Sequence, residues 1–197
     1  MLFLPVLSLS LVACDAFRQD TTVFLSKDGD VRLQQPPGAQ RSMEFQGRAL
    51  MQSGWRMIWD GKAVGEGQGI VRLTLPARAA DGSALSEVLQ LGASRDPDVV
   101  ASCLSHGLQS GNGMRLSPVT INNHVWTSYS GSDAGMSQSI KANNYRLVFE
   151  QTCYAMDRIS YAVRAAKAAE DALTEAEAAR LMDAALASVE ILPVARR

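Results

Sequence analysis

The chain has 197 residues, of which 47% are hydrophobic and 20% charged, with 19 Lys+Arg set against 20 Asp+Glu. That balance excludes a disordered chain, which would be poorer in apolar residues, and a collagen-like one, which would be far richer in Gly and Pro. A net charge of −1 argues against nucleic acid as a partner, and the length is that of one ordinary domain with a sizeable core.

Residues 1–13, MLFLPVLSLSLVA, carry no charge. The run is too short to span a bilayer, which takes ~20 apolar residues, and has the length of a signal-peptide apolar region. It ends in Leu11-Val12-Ala13-Cys14, which resembles a bacterial lipobox. The resemblance implies a signal peptide over 1–13 and acylation (palmitate or a similar chain) at Cys14 as the mature N-terminus. Residues 14–22 would be the lipidated Cys and a short tether, and 23–197 a single domain. A cleaved secretory leader without lipid and a buried N-terminal strand are the rival readings. No Lys or Arg precedes the apolar run, a departure from the usual leader that points to a translation start further upstream. The address implied is the cell envelope of a Gram-negative bacterium, with the lipid in a membrane and the domain in the periplasm. Asp15 resembles the inner-membrane retention signal of enterobacterial lipoproteins.

With Cys14 acylated, Cys103 and Cys153 remain as an even pair in an oxidising space, so a disulfide is expected. Two separate buried thiols are the alternative. A catalytic thiol would need His106 or His124, and neither stands in a cysteine-hydrolase signature.

Along the chain, Val23 and Leu25 lead into Lys27-Asp28-Gly29-Asp30, and Val31 and Leu33 lead out, the pattern of a β-hairpin. Pro36-Pro37-Gly38 is a break. Met43 and Phe45 suggest a weak strand over 43–50. Trp55, Met57 and Trp59 share one face at period two before an Asp60-Gly61 turn, which predicts a further strand. The spacing of Val71, Leu73 and Leu75 predicts a return strand ended by Pro76, and another short strand is expected near Val88 to Leu91.

Asp96-Pro97-Asp98 reads as a helix start, with Val100, Cys103, Leu104 and Leu108 on one side and Gly107, Gly111 and Gly113 at its end. Val119 and Ile121 lead through Asn122-Asn123 to Val125, Thr127 and Tyr129 as a hairpin. Residues 131–139 read as a polar, flexible loop. Tyr145, Leu147 and Phe149 form a strand that turns at Glu150-Gln151 and returns through Cys153, Tyr154 and Met156. Thr174-Glu175-Ala176-Glu177 fits a capping box, and Ala178, Leu181, Met182, Ala185 and Val189 make an apolar stripe opposite Glu175, Arg180 and Asp183.

Many antiparallel strands, one helix, more strands and a closing helix make an α+β domain: a curved antiparallel sheet of hairpins with two main helices packed against it. In element order, from the Pro-Pro-Gly break to the closing Ala187-Ser188-Val189-Glu190-Ile191-Leu192, it resembles the Mog1/PsbP-like fold. Ala39 stands where that family usually has an aromatic.

Chemistry-bearing patterns are sparse. The two histidines have no metal-ligand spacing; no metal site and no cofactor is expected. Gly65-Glu66-Gly67-Gln68-Gly69 lacks the Lys and the following helix of a phosphate loop. No serine stands in a nucleophile elbow. Trp55 and Trp59 read as core more readily than as a stacking surface. Loops carry function more often than cores do, which makes Ser132, Asp133, Met136 and Gln138 the candidate binding loop, with 61–69 a second polar region. The reading that follows is a membrane-anchored envelope lipoprotein with no catalytic residues, which binds an envelope protein or assists envelope assembly. The alternatives are a periplasmic hydrolase with an unfamiliar site and an inhibitor of lysozyme or protease.

Overall fold

The computed structural model describes residues 22–47, 50–51, 53–59, 63–105 and 113–193. Cys14, the leader, His106, Gly107, Leu108, Gly111 and the Asp60-Gly61 turn lie outside them. The fold is α+β, built on open, mostly antiparallel sheets. Strands β1 (Thr22–Leu25), β2 (Val31–Gln35) and β12 (Glu190–Ile191) form a small sheet in the order β1-β2-β12. The main sheet runs β11-β4-β5-β10-β9-β8-β6. Its long strands are β4 (Gln68–Arg78), β5 (Ser83–Ser94), β8 (His124–Gly135), β9 (Gln138–Phe149) and β10 (Thr152–Lys167). Short strands trim its edges: β3 (Gln40–Ser42) on β4, β6 (Gly113–Arg115) and β7 (Val119–Ile121) on β8, and β11 (Leu173–Thr174), parallel to β4.

Three successive hairpins have two-residue turns in which both residues take positive φ: Asn122-Asn123, Met136-Ser137 and Glu150-Gln151. That geometry matches the right-handed twist of the paired strands. Asn accepts it readily, whereas Met, Ser, Glu and Gln are strained there.

The main sheet is covered on both sides. On one side α2 (Glu175–Ala187) and the small sheet pack against Leu73, Leu75, Leu89, Leu91, Tyr154 and Met156. The capping box is formed, with Thr174 Oγ1 accepting from the Glu177 N–H and the Glu177 carboxylate accepting from the Thr174 N–H. Ala178, Met182, Ala185 and Val189 are buried, as the stripe predicts. In β1 the buried residue is Phe24, opposite Leu33, so Val23 and Leu25 face outward.

The other side is covered by α1 (Pro97–Ser102) and by irregular chain over the described residues of 43–59, Phe45, Met51, Trp55 and Met57 among them. Asp96 caps α1 as expected. The helix stops sooner than the apolar spacing suggests, and its C-cap Cys103 is bonded to Cys153 on β10. Leu104, expected on the core face, is exposed, and its carbonyl accepts from the Tyr129 hydroxyl.

The strands expected at 43–50 and 55–59 are absent among the described residues of those segments. The backbone of 54–57 is bound by side chains reaching out of the sheet. Asp157 Oδ2 accepts from Met57 N at 2.7 Å, and Arg146 Nη2 donates to the Met57 carbonyl at 2.6 Å. Phe45 lies under the Arg72 guanidinium at 4.7 Å, and Arg72 Nη1 donates to the Gln46 carbonyl. β4 does not end at Pro76. Pro76 lies between the stretches paired to β3 and β11, where β4 has no outer partner and a missing N–H costs no ladder bond. The strand near Val88–Leu91 is much longer than expected, as β5 shows. Residues 131–139 are not a loop: they are the ends of β8 and β9 around the Met136-Ser137 turn.

Candidate functional site

Along β8, β9 and β10, the residues facing α2 change character partway. Trp126, Tyr145, Leu147, Tyr154 and Met156 pack in the core, while Ser130, Ser132, Lys141, Asn143, Arg158 and Ser160 line open space. α2 covers β4 and β5 and leaves this polar half of the sheet exposed. The result is a cleft of about 650 Å³, floored by β8, β9, β10 and Glu87 of β5 and walled by Glu175, Ala179 and Asp183 of α2. A second hollow of about 320 Å³ shares Lys141, Ser160 and Glu175 and runs on to Asp81 and Arg164. Together they form one polar trough across four strands.

Arg158 organises its floor. Its Nη1 donates to the Glu87 carboxylate, its Nε to Asp183 Oδ1 at 3.0 Å, and its Nη2 to the Ala179 carbonyl at 3.3 Å. The guanidinium therefore ties β10 to both β5 and α2. Burial pushes the Glu87 carboxyl above its ordinary value, against the opposing pull of Arg158 and a Ser160 hydrogen bond. Burial also raises the Tyr145 phenol, which senses Asp183 next. Lys141 and Glu175 are exposed and make no ion pair among the described residues, so an ammonium and a carboxylate are free to meet a ligand. Such a surface can hold a polar molecule carrying both charge signs by hydrogen bonds and ion pairs. Three serines and an amide add neutral donors and acceptors.

Among the described residues the serines of the cleft have no imidazole beside them. His124, the one histidine among the described residues, lies against the Ile191 carbonyl (3.1 Å) and edge-on to Phe149 (4.8 Å). It is half-buried rather than exposed as its place after the Asn-Asn turn suggests. Among the described residues no group of three His, Cys, Asp or Glu is placed to hold a metal ion.

The four residues of the predicted binding loop do not converge, because a strand sends neighbours to opposite faces. Ser132 lines the cleft. Asp133 Oδ1 accepts from the Ala134 N–H at 2.8 Å. Met136 stands at the turn tip, 99% exposed. Gln138 Oε1 accepts from the Tyr161 hydroxyl on the far side of the sheet. Cys103 and Cys153 form a buried disulfide. In the described part of 61–69 the Gly65 carbonyl accepts from the Trp55 indole and a Cβ on Gly67 would lie 2.4 Å from that ring, while Glu66, Gly67 and Gln68 are exposed along a separate hollow of about 390 Å³ with Arg95 and Asp96. Trp55 is buried and Trp59 half-buried, its Nε1 donating to Asn144 Oδ1 at 2.6 Å.

Sequence reasoning missed Glu87, Lys141, Asn143, Arg158 and Ser160 altogether. It placed Glu175 and Asp183 on a plain solvent face. The available signal was the loss of apolar alternation within β9, where Leu147 and Tyr145 give way to Asn143 and Lys141.

No family model and no curated protein matches the chain. Among solved structures, the crystal structure of LpqN, involved in cell envelope biogenesis of Mycobacterium tuberculosis, is similar with a TM-score of 0.44 and 13% sequence identity, covering 89% of this chain and 92% of that one. No helix among the described residues is long and apolar enough to cross a membrane.

Proposed function

We propose that the chain is an exported bacterial lipoprotein, acylated on Cys14, whose domain binds a polar envelope partner in the cleft beside α2. The observation that carries the reading is the Cys103–Cys153 disulfide. A buried disulfide belongs to an oxidising compartment, and it leaves Cys14 as the single unpaired cysteine, directly after the apolar leader. The partner surface is the trough of Lys141, Glu175 and the serine and amide side chains around the Arg158 ion pairs.

The test is expression with the native leader in a Gram-negative host, followed by intact mass measurement of the membrane fraction. The expected species begins at Cys14, carries diacylglyceryl and amide-linked acyl chains, and is two hydrogens lighter for the disulfide. Cys14→Ser should move the protein out of that fraction. A soluble, unacylated mature chain from the wild-type gene would overturn the anchor. For the cleft, a photo-crosslinking side chain in place of Lys141 should give a discrete adduct in cells, and one in place of Met43, exposed on the opposite side, should not. Equal labelling from both positions, or none from either, would overturn the cleft as the contact surface.

A further inference from the structure

We infer that the outer face of β1 and β2 rests on the bilayer interface when the protein is anchored. The inference rests on the lipid-anchor reading above. Phe24 is buried, so its neighbours Val23 and Leu25 point outward and remain 60% and 57% exposed. β1 is the edge of its sheet, paired only to β2. Opposite Val23 and Leu25 in the register stand Gln34 and Arg32, and Arg32 is paired with Glu190 at 2.6 Å. The turn that follows adds Lys27 and Asp28. This face thus presents two apolar side chains among charges that sum to zero. Such a surface suits a zwitterionic interface rather than a strongly anionic one.

Chain length supplies the second argument. From Cys14 to Thr22 is eight residues, which reach at most about 28 Å at ~3.5 Å per residue. An acyl chain on Cys14 therefore keeps β1 within that distance of the headgroups in every conformation of the tether. A short tether of this kind gives an effective concentration of order mM, so two apolar side chains too weak to hold the free domain on a vesicle suffice once it is attached.

The experiment uses the mature chain from Cys14 onward. Its one free thiol is coupled to a maleimide-headgroup lipid in phosphatidylcholine vesicles. The control is the same chain with the thiol blocked by N-ethylmaleimide, mixed with the same vesicles. Hydrogen exchange over 22–35 should be about tenfold slower in the tethered protein, with exchange at the Gly135–Gln138 turn unchanged. The double variant Val23→Asp/Leu25→Asp should return 22–35 to the free rate; Val23→Gln/Leu25→Gln serves the same purpose should aspartate lower the thermal midpoint. Equal rates in tethered and free protein, or protection that survives both double variants, would overturn the inference. Because the lipid is attached chemically, failure here leaves acylation in cells untouched, and lack of acylation in cells leaves this contact measurable.

Discussion

Replacing Asp157 by Asn tests the physical account of the side of the sheet opposite α2. The Asp157 carboxylate is fully buried and accepts four hydrogen bonds: Met57 N at 2.7 Å and Gln90 Nε2 at 3.1 Å on Oδ2, Asn144 Nδ2 at 2.8 Å and Arg146 Nη1 at 2.7 Å on Oδ1. Asparagine keeps the volume but turns one oxygen into a donor. If its oxygen keeps Asn144 and Arg146, its amide meets the N–H groups of Met57 and Gln90. Each donor left without an acceptor costs about 1–3 kcal/mol. The Arg146 guanidinium, 1% exposed, also loses its counter-charge, and breaking a buried pair from one side costs about 3–5 kcal/mol. These terms overlap, so the expected loss is about 4 kcal/mol. For a domain of this size that is a fall in Tm of roughly 8–16 °C, at 2–4 °C per kcal/mol. Calorimetry with the disulfide intact reads the midpoint. Trp fluorescence should report release of 54–59, since Trp59 is held by Asn144 in the same network. A loss below about 1 kcal/mol, smaller than a single unsatisfied donor, would refute the claim that Asp157 pins this segment.

Four further outcomes are expected. Cys103→Ser/Cys153→Ser opens a loop of 50 residues, and urea unfolding should show a loss of about 4 kcal/mol in the chain-entropy account, whereas an unchanged midpoint would mean that packing alone holds α1 on β10. The raised Glu87 pKa means that the native state binds more protons than the unfolded one above the ordinary value of 4.5. Wild-type stability should therefore fall relative to Glu87→Gln as pH rises through that value toward the raised one; a flat or rising difference would contradict burial as the dominant influence. Met136→Asn/Ser137→Gly relieves two positive-φ residues and should raise stability by about 1–2 kcal/mol, read as an upward shift in Tm. Gly92→Ala would place a Cβ 2.3 Å from the Trp55 carbonyl, whereas Gly67→Ala meets a side chain at 2.4 Å; the first should destabilise more, by about 1–3 kcal/mol or above, and equal thermal midpoints would show that the backbone at Trp55 moves freely.

Much of the fold is legible where local chemistry and tertiary demand agree. Asp96-Pro97 and the Thr174 capping box each satisfy their own helix N-terminus with side chains a few residues away, so no distant partner is needed to read them. Asn122-Asn123 likewise carries its turn geometry in its residue types. Met136-Ser137 and Glu150-Gln151 adopt the same geometry without that signature. The second is still readable because strong alternation flanks it on both sides. The first is not, since Ser132, Asp133 and Ala134 give no apolar alternation, and a hairpin end there has the sequence of a loop.

The misreading of Trp55, Met57 and Trp59 has a different cause. Period-two apolar spacing is the mark of a strand, yet here Arg56 and Ile58 between those residues are buried as well, so the segment is covered on both sides rather than on one face. What separates it from a strand is where the backbone hydrogen bonds go, and here they go to Asp157 and Arg146, about a hundred residues away in sequence. The glycines at 65, 67, 69 and 92 belong to the same event. Three of them are bare because Trp55 or Phe45 presses against them, and Gly65 supplies the carbonyl for the Trp55 indole.

The two sides of the sheet explain why the cleft stays open. On the far side, buried polar groups of β5, β9 and β10 bind a length of irregular chain and so seal that surface without a helix. On the near side one helix of 13 residues and the small sheet must serve five long strands, and the helix lies over β4 and β5. The rest of that face therefore has to be wettable, and the polar run of Ser130, Ser132, Lys141, Asn143 and Ser160 makes it so. A solvated face alone would need no arginine in its floor. Arg158 is buried and joined to carboxylates on two separate elements, and burying such ions is unfavourable against an apolar alternative of similar size. What the arrangement gives in return is a fixed wall: α2 is held to β10 at Asp183 and Ala179, with Glu175 on that wall and Lys141 on the floor. A trough whose width is set by ion pairs is pre-organised for a ligand in a way that a plain surface is not, and that ties the fold to the binding role proposed for it.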